Sequence, residues 1–201
     1  HNDYKQQIPL LEAYYAGMGS IEADVFYRNG ELYVAHESSE IKPGKTLKKL
    51  YIDPLIAFFK ENGNKPYAKP EQTLQLVIDI KENYEQVLSK LLADLKGNES
   101  IFDQQKNPSA IKIVVSGEIP PPEKFDNYPS MIYFDGRPEK DYTPAQLKHI
   151  GMISQDIKQY SVWNGKGTPT PPDLEKMKSV IDKAHKLGKP FRFCETKDSP
   201  K

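Results

Sequence analysis

The sequence predicts an α/β protein built on a mainly parallel sheet. Three observations lead there. Strand-like and helix-like periods alternate along the 201 residues. The strand segments are nearly continuous apolar runs, as in sheets covered on both faces. The two longest helical segments repeat apolar residues at i, i+3, i+4 and i+7, the mark of one buried face.

Taken in order, residues 9–16 read as a short helix, with Pro9 at its start and Gly17 just past its end. Residues 20–27 read as a strand, Arg28-Asn29-Gly30 as a turn, and 31–36 as a returning strand. Residues 53–61 form a helix closed by Asn62-Gly63, and 73–81 a β-rich run. Tyr84, Val87, Leu88, Leu91, Leu92 and Leu95 share one face of the clearest helix, ended by Lys96-Gly97. A strand over 111–115 leads into Ser116-Gly117 and Pro120-Pro121-Pro122, and another over 131–134 closes at Asp135-Gly136. Thr143, followed by Pro144 and by Gln146 three residues on, is a capping box opening a short helix. Residues 151–154 return to strand, and 161–172 form a loop rich in Gly, Pro and Thr. Leu174, Met177, Val180, Ile181, Ala184 and Leu187 make a second amphipathic helix stopped by Gly188, before a last strand over 190–195. Six strands, near residues 20, 74, 111, 131, 151 and 190, thus belong to the main sheet. An open doubly wound sheet and an imperfect barrel both fit that count. No GxGxxG or GxxxxGK loop follows a strand, which weakens a nucleotide-binding reading.

Composition narrows the function. The 28 Lys+Arg balance the 28 Asp+Glu, and a nucleic-acid binder usually shows a basic excess; no nucleic-acid partner is expected. Hydrophobic residues at 37%, with 12 Tyr and 8 Phe, suffice for a real core. The length suggests one domain over residues 1–201. No apolar run approaches the roughly 18 residues of a membrane span. The single cysteine, Cys194, excludes an intramolecular disulfide and a cysteine-rich metal site.

Glu22 and Asp24 stand two apart on a strand, so both carboxylates share a face while Ile21, Ala23 and Val25 line the other. Two like charges about 6–7 Å apart on a covered strand repel and resist desolvation. A divalent cation with oxygen ligands, Mg²⁺ or Ca²⁺, relieves this. A solvated edge-strand face is the plainer alternative. Residues 73–81 repeat the pattern: Leu74, Leu76, Ile78 and Ile80 on one face, Gln75, Val77, Asp79 and Lys81 on the other, with the charges at the C-terminal end. In parallel α/β folds that end carries the site. Asp79 and Lys81 could be a simple salt bridge; beside Glu22 and Asp24 they read better as a third metal ligand and a cationic anchor. His1 and His36 flank the acidic strand among only 4 His, whereas His149 and His185 read as structural or surface residues. A three-residue turn would pair position 22 with 36 and turn His36 toward the carboxylates. A two-residue Asn29-Gly30 turn would pair 23 with 36 and turn it away.

Together, His1-Asn2-Asp3-Tyr4, Glu22-Ala23-Asp24-Val25, Asn29 to Glu37 and Ile78-Asp79-Ile80-Lys81 resemble the glycerophosphodiester phosphodiesterase family, within the phospholipase C-like phosphodiesterases, and most of all its secreted bacterial branch. The resemblance covers most of the chain, with its specific motifs in residues 1–81. It implies a TIM-type barrel and metal-dependent hydrolysis of a small phosphodiester or phospholipid head group. It also implies Glu22, Asp24 and Asp79 as ligands of Ca²⁺ or Mg²⁺, and His1 and His36 as the acid–base pair. Lys81 matches the basic residue near the phosphate. Asn2 replaces the usual Arg after the first His, and Asp79 the commoner Glu. A secreted or periplasmic location follows from the resemblance alone. An inactive or phospho-ligand-binding barrel, and a metal-dependent sugar-acting barrel enzyme, are the rival readings. A full barrel has roughly 250 residues, so further chain at both ends, or a second copy covering the open edges, is expected.

Overall fold

The alternation of apolar strands and amphipathic helices is realised along the chain in the computed structural model, which describes residues 3–196. The chain divides into two compact units, one ending at Tyr133 and the other beginning at Phe134.

The first unit holds α1 (Leu11–Tyr15), β1 (Ser20–Arg28), β2 (Glu31–Val34), α2 (Asp53–Glu61), β3 (Gln75–Ile80), α3 (Tyr84–Leu95), α4 (Glu99–Phe102) and β4 (Lys112–Gly117). Its strands lie in the order β2-β1-β3-β4. β2 is antiparallel to β1, with Val25 opposite Val34 and Arg28 opposite Glu31. That register leaves a two-residue turn in which Asn29 and Gly30 both have positive φ, 50° and 84°, the twist-matched hairpin connection. β1, β3 and β4 are parallel, with Asp24 opposite Asp79 and Asp79 opposite Ser116. Ile21, Ala23, Val25, Leu76, Ile78 and Ile80 are at most 2% exposed. α3 covers the sheet with Val87, Leu88, Leu91 and Leu95, all fully buried, each burial contributing about 1.5–3 kcal/mol.

Element ends differ from the sequence reading for local reasons. α1 begins only at Leu11, because Leu10 sits at φ 69°, outside helical space. β2 stops at Val34 rather than at His36. α4 and the 3₁₀ turn Pro122–Asn127 are too short to show a period and were not foreseen.

The second unit holds β5 (Ile132–Gly136, which begins at the boundary), α5 (Pro144–His149), β6 (Ile150–Asp156), α6 (Pro171–Lys186) and β7 (Phe191–Cys194). β6 pairs in parallel with β5, Gly136 opposite Ile153, and with β7, Ser154 opposite Arg192. The capping box ahead of α5 is formed: Thr143 Oγ1 accepts from Gln146 N at 3.3 Å, and Gln146 Oε1 accepts from Thr143 N at 2.9 Å. α6 buries Val180 and Ala184, while Leu174 and Leu187 at the two ends of its apolar face are exposed.

The α/β class is therefore realised. Among the described residues there are seven strands, six parallel within their units and β2 an antiparallel return. They do not make up the eight parallel strands of a complete TIM barrel. No helix of the described residues is long and apolar enough to cross a membrane.

Candidate metal and acid–base site

The alternation along β1 and its parallel register with β3 bring three carboxylates to one level. Glu22, Asp24 and Asp79 each offer an oxygen within 4.8 Å of the others. Asp24 is 5% exposed, and the other two are half-buried. Lys81, just past β3, continues the ladder by donating its backbone N–H to Val25 O at 3.1 Å. Its Nζ lies 2.7 Å from Asp24 Oδ2 and 2.6 Å from Asp79 Oδ2. Burial alone would lower the Lys81 pKa, but the hydrogen bonds and charges of the two aspartates outweigh it and hold the ammonium above its ordinary value.

His36 reaches the same carboxylate by a route that ladder alternation does not describe. The two-residue turn was expected to turn it away. The turn forms, yet His36 Nδ1 is 2.9 Å from Asp24 Oδ2. β2 ends two residues earlier, Ala35 still donates to Asp24 O at 3.2 Å, and the chain then leaves the sheet plane for the 3₁₀ turn Ser38–Glu40. Glu40 Oε2 fixes that departure by accepting from the backbone N–H groups of His36 and Glu37, both at 3.2 Å. With a carboxylate as its acceptor, Nδ1 carries the proton, and in the neutral ring Nε2 is left as a base.

Sequence reasoning gave no role to Tyr4, although it lies within the HNDY motif. Its hydroxyl donates to Asp24 Oδ2 at 2.8 Å and lies 3.2 Å from His36 Nδ1. Burial, and then the hydrogen bond to Asp24, push the phenol pKa far above its usual value. The segment is pinned by buried Asp3, whose Oδ2 accepts from Leu10 N at 2.7 Å and from Tyr51 Oη at 2.8 Å. Gly117 was also missed as a site residue. It has φ 76°, and a Cβ there would overlap the Ile80 carbonyl and come within 2.5 Å of Asp79 Oδ1. The signal was the Ser116-Gly117 pair at a strand end. His1 and Asn2 lie outside the described residues. His185 is exposed on α6, and His149 ends α5 half-buried. Trp163 packs on its own loop, its Nε1 donating to Lys166 O at 3.0 Å and Gly167 O at 3.1 Å.

The donor set fits a divalent cation. All three groups are hard carboxylate oxygens, and a spacing within 4.8 Å suits ligand bonds of roughly 2.0–2.6 Å to Mg²⁺ or Ca²⁺.

Residues 1–134 match the family model described as the AIM6-like phosphodiesterase domain. The Altered inheritance of mitochondria protein 6 homolog of Arthroderma benhamiae is 30% identical over 232 residues, covering 100% of this chain and 72% of that protein. Altered inheritance of mitochondria protein 6 of Eremothecium gossypii is 37% identical over 106 residues, 47% of this chain and 27% of its own length. The Kluyveromyces lactis protein of that name is 32% identical over 171 residues, 65% and 39% respectively. The chain thus spans less than half of these last two. The names of these relatives describe mitochondrial inheritance and no reaction. No solved structure matches. The phosphodiesterase character expected from the motifs stands, but the branch is corrected: the match is to a family with fungal relatives and not to the secreted bacterial one. Matched by the family model over two thirds of its length and aligned throughout to a 30% identical relative, this chain belongs to the AIM6-like phosphodiesterase domain family.

Proposed function

We propose that this chain hydrolyses a phosphodiester, a glycerophosphodiester or a phospholipid head group, with Glu22, Asp24 and Asp79 holding Ca²⁺ or Mg²⁺. The observation that carries this is the junction at Asp24. One buried carboxylate receives His36 Nδ1 and Lys81 Nζ while standing within 4.8 Å of Glu22 and Asp79. A divalent cation bound there would neutralise phosphate oxygens and polarise a nucleophile. His36 Nε2, the base left open by the Nδ1 hydrogen bond, takes the proton of the attacking water or substrate hydroxyl as the new P–O bond forms. A second acid, His1 in this reading, protonates the leaving oxygen as the old P–O bond breaks. Where a hydroxyl neighbours the phosphate, as in glycerol esters, its attack gives a cyclic phosphate first. Asn2 and Lys81 are assigned to the phosphate side. The TIM-type barrel belongs to this same proposal, supported by a site at the C-terminal ends of parallel strands.

The test is turnover of bis(p-nitrophenyl) phosphate and of glycerophosphodiesters by the purified chain. Activity that EDTA abolishes and Mg²⁺ or Ca²⁺ restores is expected. Turnover indifferent to exhaustive chelation would overturn the metal role. Ligand binding without turnover would favour the binding-module reading, which the seating of Lys81 between two of the carboxylates also suits.

A further inference from the structure

We propose that Tyr4 is a positioning residue of the candidate centre: its hydroxyl holds Asp24 and His36 as one unit, so that the imidazole keeps its proton on Nδ1 and its base on Nε2. This deepens the phosphodiesterase reading and rests on it.

Tyr4 reaches the centre from outside the sheet. It sits in the 3₁₀ turn Asp3–Lys5, which packs against β1, and its partners are 20 and 32 residues away. Its ring is 8% exposed. A phenylalanine would fill the same space with no polar group to satisfy, whereas a buried hydroxyl destabilises unless it finds an acceptor. Here the acceptor is Asp24 Oδ2, at 2.8 Å, and the hydroxyl also lies 3.2 Å from His36 Nδ1. Nδ1 is itself 2.9 Å from Asp24 Oδ2. The three atoms form a closed triangle, each side too short for a water to lie between its ends.

The triangle fixes a geometry that neither partner fixes alone. A carboxylate turns broadly about its terminal bond, and the His36 side chain is 42% exposed. His36 Nε2 lies 3.9 Å from Glu37 Oε1, too far for a hydrogen bond to orient the ring from that edge. Asp24 is held by donors from three separate stretches of chain: Tyr4 before α1, His36 past the end of β2 and Lys81 past the end of β3. Of these the phenol has the firmest anchorage. Asp3 beside it accepts from Leu10 N and Tyr51 Oη, and Leu10 and Tyr51 are fully buried. Lys81 divides between Asp24 and Asp79, and His36 stands partly in solvent. With its ring buried and its hydroxyl engaged by Asp24, Tyr4 acts on the reaction through its neighbours, as outer hydrogen bonds orient the groups of a metal site.

The experiment compares the full chain with Tyr4→Phe, which keeps the ring and removes the hydroxyl, and with Tyr67→Phe, which removes a buried hydroxyl bonded to Met18 O outside the centre. Histidine ¹⁵N NMR in EDTA, with the imidazole neutral, reads the tautomer of His36. A single Nδ1–H form is expected in the wild type and Tyr67→Phe, and a mixture of both tautomers in Tyr4→Phe. With Mg²⁺ and bis(p-nitrophenyl) phosphate, Tyr4→Phe is expected to lower kcat roughly tenfold, the scale of one lost hydrogen bond, with KM within about twofold. Tyr67→Phe is expected to keep both. A single Nδ1–H form or a wild-type kcat in Tyr4→Phe overturns the proposal, as does an equal drop in kcat in Tyr67→Phe. A wild type without turnover overturns the phosphodiesterase reading, and the tautomers then decide on Tyr4 alone. Should Tyr4→Phe fail to fold, a mixture of tautomers in the wild type overturns the proposal and a single Nδ1–H form supports it.

Discussion

A single oxygen organises the candidate centre. Asp24 Oδ2 receives Tyr4, His36 and Lys81 at 2.8, 2.9 and 2.7 Å. Under the proposed chemistry, His36→Ala is expected to lower kcat by roughly 10²–10⁴ with the fold intact by circular dichroism. Asp24→Ala is expected to lose cation binding as well, measured by calorimetry. A normal rate in His36→Ala would remove the histidine from the mechanism. At this scale the sequence was informative where strand geometry governs. Period 2 put Glu22 and Asp24 together, and a parallel neighbour at the same level brought Asp79. It was silent on Tyr4, whose partners lie 20 and 32 residues away. It left the direction of His36 open between two turn lengths, because ladder alternation stops applying at the residue where the chain leaves the sheet.

Among the elements, β1, β3, β4 and α3 were legible because continuous apolar runs and a clean helical face are signals of burial itself. Element ends were not, since they depend on single backbone choices such as Leu10 at φ 69°. The pairing of Ser154 with Arg192 was not legible either, as only the register of β6 with β7 brings the two residues side by side. The end of β4 supports a prediction of its own. Gly117→Ala is expected to cost about 1–3 kcal/mol through backbone strain and overlap, and also to displace Asp79. Leu91→Ala in α3 is the control: it is expected to cost about 2–5 kcal/mol while the residual folded protein keeps its cation affinity. Urea titration with calorimetry of both variants separates the two. Equal cation affinity in Gly117→Ala and wild type would show that the glycine serves the backbone alone.

Across the whole molecule, burial is the largest influence on Tyr14, Tyr51 and Tyr67 in the first unit and on Tyr142 and Tyr160 in the second, and all five are raised. Tyr67, donating to Met18 O at 2.6 Å, is pushed up to about 12. A phenol whose folded pKa exceeds its unfolded value near 10 contributes stability that is fully present below pH 10. That contribution fades as pH rises from about 10 through the folded value. Stability is therefore expected to hold to about pH 10 and then fall. Phenolate absorbance is expected to appear in two phases, the second coinciding with loss of circular dichroism. One phase, centred near 10 with the fold intact, would contradict the burial of these rings.

Lys81 has a consequence for how the carboxylate cluster meets its surroundings. Its ammonium is a tethered counter-ion, held at high effective concentration by the strand that also carries Asp79. Under the proposed chemistry, an incoming cation would exchange with it rather than fill a vacancy. Chelation is accordingly expected to lower the Tm less in the wild type than in a variant without the lysine, because the lysine already quiets the repulsion between Asp24 and Asp79. Lys81→Met would abolish that internal substitute, leaving a chain whose Tm drops in EDTA and recovers with Mg²⁺ or Ca²⁺, and whose cation affinity exceeds that of the wild type. Under the proposed chemistry the lysine would set a threshold: below a certain cation concentration the cluster would stay closed on itself, and above it the same side chain would be released toward the phosphate.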